Sequence, residues 1–314
     1  MHKYIIKRII YIIPTLILVA VIVFFMIHLI PGDPALVMLG SDASPEDVEA
    51  VRQSLGLNEP LFKQFALWFK HVIAGNFGAS IHSKIPVIES IAERFPVTLT
   101  LTTLALIFSI LISLPSGIMA AVRHNTRSDY VFMIGTIIGV SVPGFWLGLI
   151  GLLIFSFKLG WLPSTGYVAI WEDFWLGLRY MLLPSITLGL FMAAVVARMV
   201  RSSMLEVLRL EYVTHARAKG LSEWKVVIKH ALKNAFAPTL TTIGTQYGML
   251  LGGAVVTETV FSLPGLGKYI VVAINMRDYP VVQGSILFIA VVYVLINLVV
   301  DLFYGFFDPR IEYQ

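Results

Sequence analysis

The chain has 314 residues, 57% of them hydrophobic and only 13% charged, with a mean hydropathy of +0.83, values that exclude an ordinary water-soluble domain and leave a membrane protein. It contains no cysteine, which excludes a disulfide framework, a Cys-ligated zinc site and a thiol nucleophile. The formal charge of +4 gives no reason to invoke nucleic acid, because in such a chain the placement of Lys and Arg decides which way the loops face.

The first apolar run, Ile9 to Ile30, follows Lys3, Lys7 and Arg8 and leads into Pro31-Gly32-Asp33-Pro34. No small-residue cleavage pattern interrupts it, so an uncleaved first span is expected rather than a signal peptide. Residues 31–95 then carry two short helix signals. Ser44 precedes Pro45, Glu46 and Asp47, an N-cap with proline in the first turn, and Gly56 supplies the stop. From Pro60 to Ile73, Leu61, Phe65, Trp68 and Val72 share one stripe that Lys63 and Lys70 avoid. This segment is too short and too charged to span, and is expected against the membrane surface or capping the bundle.

A bilayer core of about 30 Å requires roughly 20 helical residues that satisfy their own backbone hydrogen bonds. Five further charge-free intervals suit that length: Pro96–Val122, Tyr130–Phe157, Tyr180–Ala197, Phe236–Thr257 and Val281–Val300. Between the third and fourth spans, Trp161, Trp171 and Trp175 with Tyr167 and Tyr180 suit an aromatic interfacial belt. With the N-terminus inside, segments 1–8, 123–129, 198–235 and 301–314 face the cytoplasm. The 198–235 loop concentrates Arg198, Arg201, Arg209, Arg217, Lys219, Lys225, Lys229 and Lys233, whereas the outer segments hold more acidic than basic residues. The expected fold is therefore all-α: a polytopic membrane protein with six transmembrane helices and both termini cytoplasmic.

The 198–235 loop is the most informative segment. Helix formers run up to Lys219, Gly220 suits a left-handed C-terminal cap, and Ser222 is placed to cap a following helix. A short helix, a sharp turn and a second helix leading into the fifth span are expected. On charge alone such a loop is only a topology determinant.

Glycines at 135, 139, 144 and 148 in the third span and at 244, 248 and 252 in the fifth permit close helix approach, which explains them as well as a pore wall does. Gln246 and Tyr247 are polar residues within the fifth span, suited to lining a pathway, with an interhelical hydrogen bond as the commoner use of such residues. His28 is expected to be interfacial rather than a metal ligand, and Asp301 and Glu258 lie at span ends, away from the midplane position of a proton relay. Ser262-Leu-Pro-Gly-Leu-Gly-Lys268 tempts a phosphate-loop reading, but Ser262 and Tyr269 stand where that pattern requires Gly and Ser or Thr. Neither His-Glu-x-x-His nor Gly-x-Ser-x-Gly occurs, so nothing marks an intramembrane enzyme, a catalytic residue or a metal site.

The stretch from Glu211 through Ala216-Arg-Ala-Lys-Gly-Leu221, followed by His230-Ala-Leu-Lys-Asn-Ala235, resembles the EAA loop of ABC importer permeases in its peptide/nickel subfamily form. The general Glu-Ala-Ala falls on Thr214, His215 and Ala216, and the glycine on Gly220. Thr214 and His215 depart from that consensus, as do His230 and Lys233 where Ile and Pro would stand. Ile30-Pro-Gly-Asp-Pro34, Arg201 to Val207, Glu258 to Gly267, Arg277 to Gly284, Asn297 to Asp301 and Asp308 to Ile311 also resemble dipeptide, oligopeptide and glutathione permeases, in the same order.

The resemblance implies a type I ABC importer permease fold, with residues 1–95 as a first helix plus an extracytoplasmic helical segment and 96–314 as a five-helix core. It implies one half of a translocation pathway for short peptides in a bacterial inner membrane, embedded in lipid. Its partners would be a second permease, two cytoplasmic ATP-binding subunits that hold ATP and Mg, and an extracytoplasmic peptide-binding protein. Glu211, Tyr212, Thr214, His215, Ala216, Arg217, Ala218, Lys219, Gly220 and Leu221 would couple to the ATPase, with Ala216 and Gly220 packed closely against it. A nickel importer permease is the runner-up, and a secondary transporter would need the inverted repeats and buried coupling charges of that class.

Overall fold

The computed structural model describes residues 2–28, 34–39, 44–54 and 56–307. Residues 30–33 and 308–311, which belong to two of the motifs above, lie outside the described residues, as do the side chains of His28 and Asp301. The described chain is predominantly helical, and its one bridge pairs Ala79 with Pro86. It divides into two compact units, one of residues 1–95 with Tyr269–Val294, the other of Pro96–Lys268 with the remaining C-terminal residues.

In the first unit, α1 (His2–His28) is followed by the short helices α2 (Pro34–Leu39), α3 (Pro45–Ser54) and α4 (Leu61–Ile73). The Ser44 hydroxyl accepts from the Asp47 N–H at 3.1 Å, the expected N-cap bond, and Gly56 takes the left-handed φ of +68°. Phe65 and Trp68 of α4 bring their rings to 5.3 and 5.6 Å from that of Phe24 on α1, so the apolar stripe rests on the first helix. The buried Asp278 carboxylate accepts from the Ser80 hydroxyl and the Ile81 N–H, tying the 80–86 turn to the segment before α13. Gln283 on α13 donates to the Val23 carbonyl of α1 at 3.3 Å.

The second unit contains most of α5 (Val87–Val122), α6 (Arg127–Ser141), α7 (Gly144–Gly151) with a π-helical continuation Leu152–Lys158, α8 (Phe174–Val207), α9 (Glu211–Ala218), α10 (Glu223–Lys225) and α11 (Lys233–Val260). α12 (Leu266–Asn275) and α13 (Tyr279–Phe307) complete the chain. The core is centred on α8, whose buried Met181, Met192, Val196, Val200 and Met204 pack with Leu101 and Ala105 of α5 and Leu250 and Ala254 of α11. Close approach depends on missing side chains: a Cβ at Gly189 would lie 2.6 Å from the Ala105 carbonyl oxygen, and one at Gly117 2.7 Å from that of Ala197.

The expected third span is not one straight helix. α6 and α7 meet at 98°, because Pro143 has no N–H to give and biases Val142 to extended backbone, ψ 126°. Among the described residues, α5, α8 and Tyr279–Val300 of α13 have the length and hydropathy to cross a membrane, and α6 with α7 makes a fourth if the bent pair is one span. The part of α1 whose side chains are described, Ile10–Met26, is apolar, and α11 falls short in hydropathy rather than length. Of the expected close-packing glycines, Gly139 meets Ala194, Gly148 meets Phe261 and Gly244 meets Val300, while Gly135, Gly144 and Gly252 face open space.

The stretch that resembles a phosphate loop folds around a carboxylate. Glu258 is 0% exposed, takes a hydrogen bond from the Thr98 hydroxyl and another from the Lys268 N–H at 2.8 Å, while Thr98 Oγ1 accepts from the Leu266 N–H at 2.9 Å. The side chain thus meets the otherwise unpaired N–H groups at the start of α12, and a Cβ at Gly265 would overlap it. Its place at a helix end, expected from sequence, conceals this burial.

Candidate functional site

α9 is an eight-residue helix whose polarity is one-sided. Val213 and Ala216, one turn apart, are buried at 0% and 7% exposure, whereas Glu211, Tyr212, Thr214, His215, Arg217 and Ala218 are exposed. The buried pair joins Val226, Val227 and Ala231 in the core cluster, which seats α9 on the helix that follows. Ala216 therefore packs inside its own chain, contrary to the expectation that it faces a partner: helical spacing places it with Val213 on the inner stripe. The Tyr212 hydroxyl accepts from Asn234 Nδ2 at 2.6 Å and donates to the His230 carbonyl at 3.3 Å, closing the same junction.

The turn between the helices is built as the sequence suggests. Lys219 and Gly220 donate their N–H groups to the His215 and Arg217 carbonyls, and Gly220 adopts φ +76°. A Cβ added at Gly220 would meet nothing within 4 Å, so backbone conformation, not space inside the chain, calls for glycine there. Ser222 occupies the N-cap position of α10 with φ −60° and ψ 143°, but its side chain makes no cap hydrogen bond. Arg217 reaches across instead, its Nη2 and Nε donating to Glu223 Oε1 and Oε2 at 2.7 and 3.1 Å. That bidentate hydrogen bond lowers the Glu223 carboxyl below its ordinary range and raises the Arg217 guanidinium.

From Glu223 to Val260 the backbone is helical without interruption, through the π-helical stretch Val226–Leu232. The elbow of α9 and its turn is thus fixed to the end of one long rod. Exposed at the turn are Lys219, Gly220, Leu221 and Trp224, the last at 72% exposure. An indole held so far into solvent on a packed elbow is unusual. Trp224 belongs to this surface although no motif in the sequence marks it; its place at the start of the rod is the one local signal.

Gln246 and Tyr247 lie far along the rod from this elbow, both half-buried on α11. Tyr247 Oη is 3.1 Å from Thr103 Oγ1 on α5, an interhelical hydrogen bond of the kind that competes with a pathway role.

A family model described as "Binding-protein-dependent transport system inner membrane component" matches residues 113–313, and a second, for the N-terminal part of such membrane components, matches residues 1–102. The chain belongs to that family. Among its relatives, the dipeptide transport system permease protein DppB of Alkalihalophilus pseudofirmus is 44% identical, with both chains covered in full. The glutathione transport system permease protein GsiC is 46% identical in Salmonella choleraesuis and 44% identical in Escherichia coli K12, again over 100% of each chain. Two crystal forms of the inward-facing MetNI methionine ABC transporter contain a chain of similar fold. Their TM-scores are 0.54 and 0.57 at 18% and 20% identity, covering 70% of this chain and 97% or 96% of theirs. The family member is therefore a helical integral membrane protein with the ABC importer permease fold, whose relatives are transport permeases rather than enzymes.

Proposed function

We propose that the chain is the transmembrane permease subunit of an ATP-binding-cassette importer for short peptides, forming half of a translocation pathway in a bacterial inner membrane. The observation that carries the reading is full-length similarity to dipeptide and glutathione permeases, combined with an exposed, rigidly seated helical elbow where the family loop was expected.

In this reading α1, α5, the bent pair α6–α7, α8, the rod ending in α11, and α13 are six spans, and the distribution of Lys and Arg supports cytoplasmic termini. Residues 1–95 form the first span with its outer helices, and 96–314 the five-helix core. A second permease completes the pathway, two ATP-binding subunits supply hydrolysis, and an outer binding protein delivers and selects the peptide.

Nucleotide-driven closure of the ATPases displaces the surface formed by Glu211, Thr214, His215, Ala218, Lys219, Gly220, Leu221 and Trp224. Because Val213 and Ala216 are buried against the rod and Arg217 is paired to Glu223, the elbow transmits that displacement to α11 as a solid body. Gln246 and Tyr247, on the same rod, are positioned to change their exposure to the pathway as it moves. The test is ATP-dependent uptake in proteoliposomes carrying the purified transporter. Labelled dipeptide, oligopeptide or glutathione is expected to accumulate and nickel is not; accumulation of nickel alone overturns the assignment.

A further inference from the structure

One polar cluster in the second unit takes no part in the elbow. Asp129, in the first turn of α6, is 3% exposed, and Arg201 of α8 grips its carboxylate with both branches of the guanidinium fork: Nε to Oδ1 and Nη2 to Oδ2, each at 2.7 Å. The same Oδ2 accepts from the Asn125 N–H at 3.1 Å, and His124 Nδ1 lies 3.2 Å from both that oxygen and Arg201 Nη2. Asn125 is held at φ +62°, a left-handed conformation that asparagine tolerates. One carboxylate therefore shapes the 123–126 turn and ties it to α8.

A buried ion pair is poor evidence of stabilisation, because desolvating the two charges offsets most of their attraction, and apolar replacements are often neutral. Nor do these helices need it in order to meet. Gly117 of α5 is already packed against Ala197 and Val200, and Gly139 of α6 against Ala194. What the fork adds is direction, since a bidentate guanidinium–carboxylate pair fixes register and resists sliding in a way that methyl contacts do not.

The position gives that register a use. α8 ends at Val207 and α9 starts at Glu211, so Arg201 sits about 9 Å from the end of α8 at 1.5 Å per residue. α8 and the rod are joined to the elbow by the chain itself, but the α5–α6 hairpin is not. Among the described residues, the side-chain hydrogen bonds that join segment 123–129 to α8 are those of Arg201.

We propose that the Arg201–Asp129 fork is the latch through which displacement of the α9 elbow reaches the α5–α6 hairpin and the bent α6–α7 pair, making both residues positioning residues for transport. The proposal rests on the reading of α9 as the ATPase-coupled element. The elbow carries α8 along its axis; the fork converts that shift into movement of α6, and the bend at Pro143 passes it to α7 in a different direction.

The experiment uses the transporter purified with its partner subunits, with Arg201→Gln, Arg201→Lys and the apolar pair Asp129→Leu/Arg201→Met. Peptide moved per ATP hydrolysed is expected to fall about tenfold, within the range of measured coupling free energies, while ATPase activity and subunit stoichiometry stay near wild type. Arg201→Lys, which keeps charge but loses the fork, is expected to lie in between. Spin labels on Arg127→Cys and Glu206→Cys give a readout independent of substrate. Their separation is expected to be unchanged by nucleotide when the fork is intact and to change when Arg201→Gln is added.

An assembled Asp129→Leu/Arg201→Met transporter with wild-type transport per ATP overturns the latch. So does loss of assembly in step with transport in every variant, since the pair would then only hold the fold. So does an unchanged label separation in Arg201→Gln. If no peptide is moved even by the wild type but the label separation responds as expected, the peptide assignment falls and the latch stands.

Discussion

Replacing Gly220 separates two contributions that are usually entangled. Its φ of +76° costs a residue with a Cβ roughly 1–2 kcal/mol, while the absence of any atom within 4 Å of the added carbon means that a methyl group costs nothing further inside the chain. At about 1.4 kcal/mol per factor of ten, Gly220→Ala is expected to lower the population of the native turn by roughly five- to thirtyfold relative to the alternatives. Gly220→Asn should lose least, and the β-branched Gly220→Val most.

Gly220→Trp carries a backbone strain similar to that of Gly220→Ala, so an additional loss of coupling in a tryptophan variant whose isolated chain unfolds at the same temperature as the alanine variant reports a partner surface lying against this residue. The assay is peptide uptake and ATP hydrolysis in the same proteoliposomes, normalised to assembled transporter. The expected order of transport per ATP is wild type, Asn, Ala, then Val, with Trp below Ala. Coupling by Gly220→Val equal to wild type would refute the backbone argument, and equality of Trp with Ala would refute docking at this position.

Other outcomes follow from local geometry. Thr98→Val deprives Glu258 of a donor and the Leu266 N–H of its acceptor, an expected loss of about 1–3 kcal/mol for each unmet group, seen as a lower unfolding temperature in detergent; an unchanged midpoint counts against the carboxylate-centred loop. Gly189→Ala forces a Cβ toward the Ala105 carbonyl and is expected to cost about 1–3 kcal/mol, whereas Gly252→Ala meets open space and is expected to be neutral or mildly stabilising; equal effects on thermal unfolding would contradict the packing.

The Arg217–Glu223 pair is half exposed, so its contribution is at most about 1 kcal/mol. Because the folded carboxyl is lowered below its unfolded value, that contribution is present at neutral pH and lost as pH falls through the folded carboxyl's range. Protection factors of the α9 amides, corrected for the intrinsic pH dependence of exchange, should fall there in the wild type and stay level in Glu223→Gln.

Much of the architecture follows from patterns that survive without tertiary contacts. Charge-free intervals marked the long helices, Ser44 and Gly56 marked the boundaries of α3, and Gly220 marked the turn after α9, because caps and left-handed positions depend on local chemistry. What lay beyond reach was pairing at a distance. Nothing near Asp129 in sequence announces Arg201, and Glu258 looked peripheral because its partners, Thr98 and the loop before α12, arrive from elsewhere in the fold. Motif position alone points Ala216 at a partner, whereas its one-turn spacing from Val213 already places it on the inner stripe. Pro143 was hidden by the hydropathy of its neighbours, which registers length and not direction.

The chain contains no native cysteine, so a single introduced thiol is the one reactive thiol this chain brings to the assembly. With Leu221→Cys or Trp224→Cys in the assembled transporter, a short thiol cross-linker is expected to join this chain to the ATP-binding subunit, more efficiently in one nucleotide state than the other. Labelling of either thiol by an impermeant reagent from outside intact cells, or cross-linking to the outer binding protein instead, would contradict an elbow driven by ATP hydrolysis.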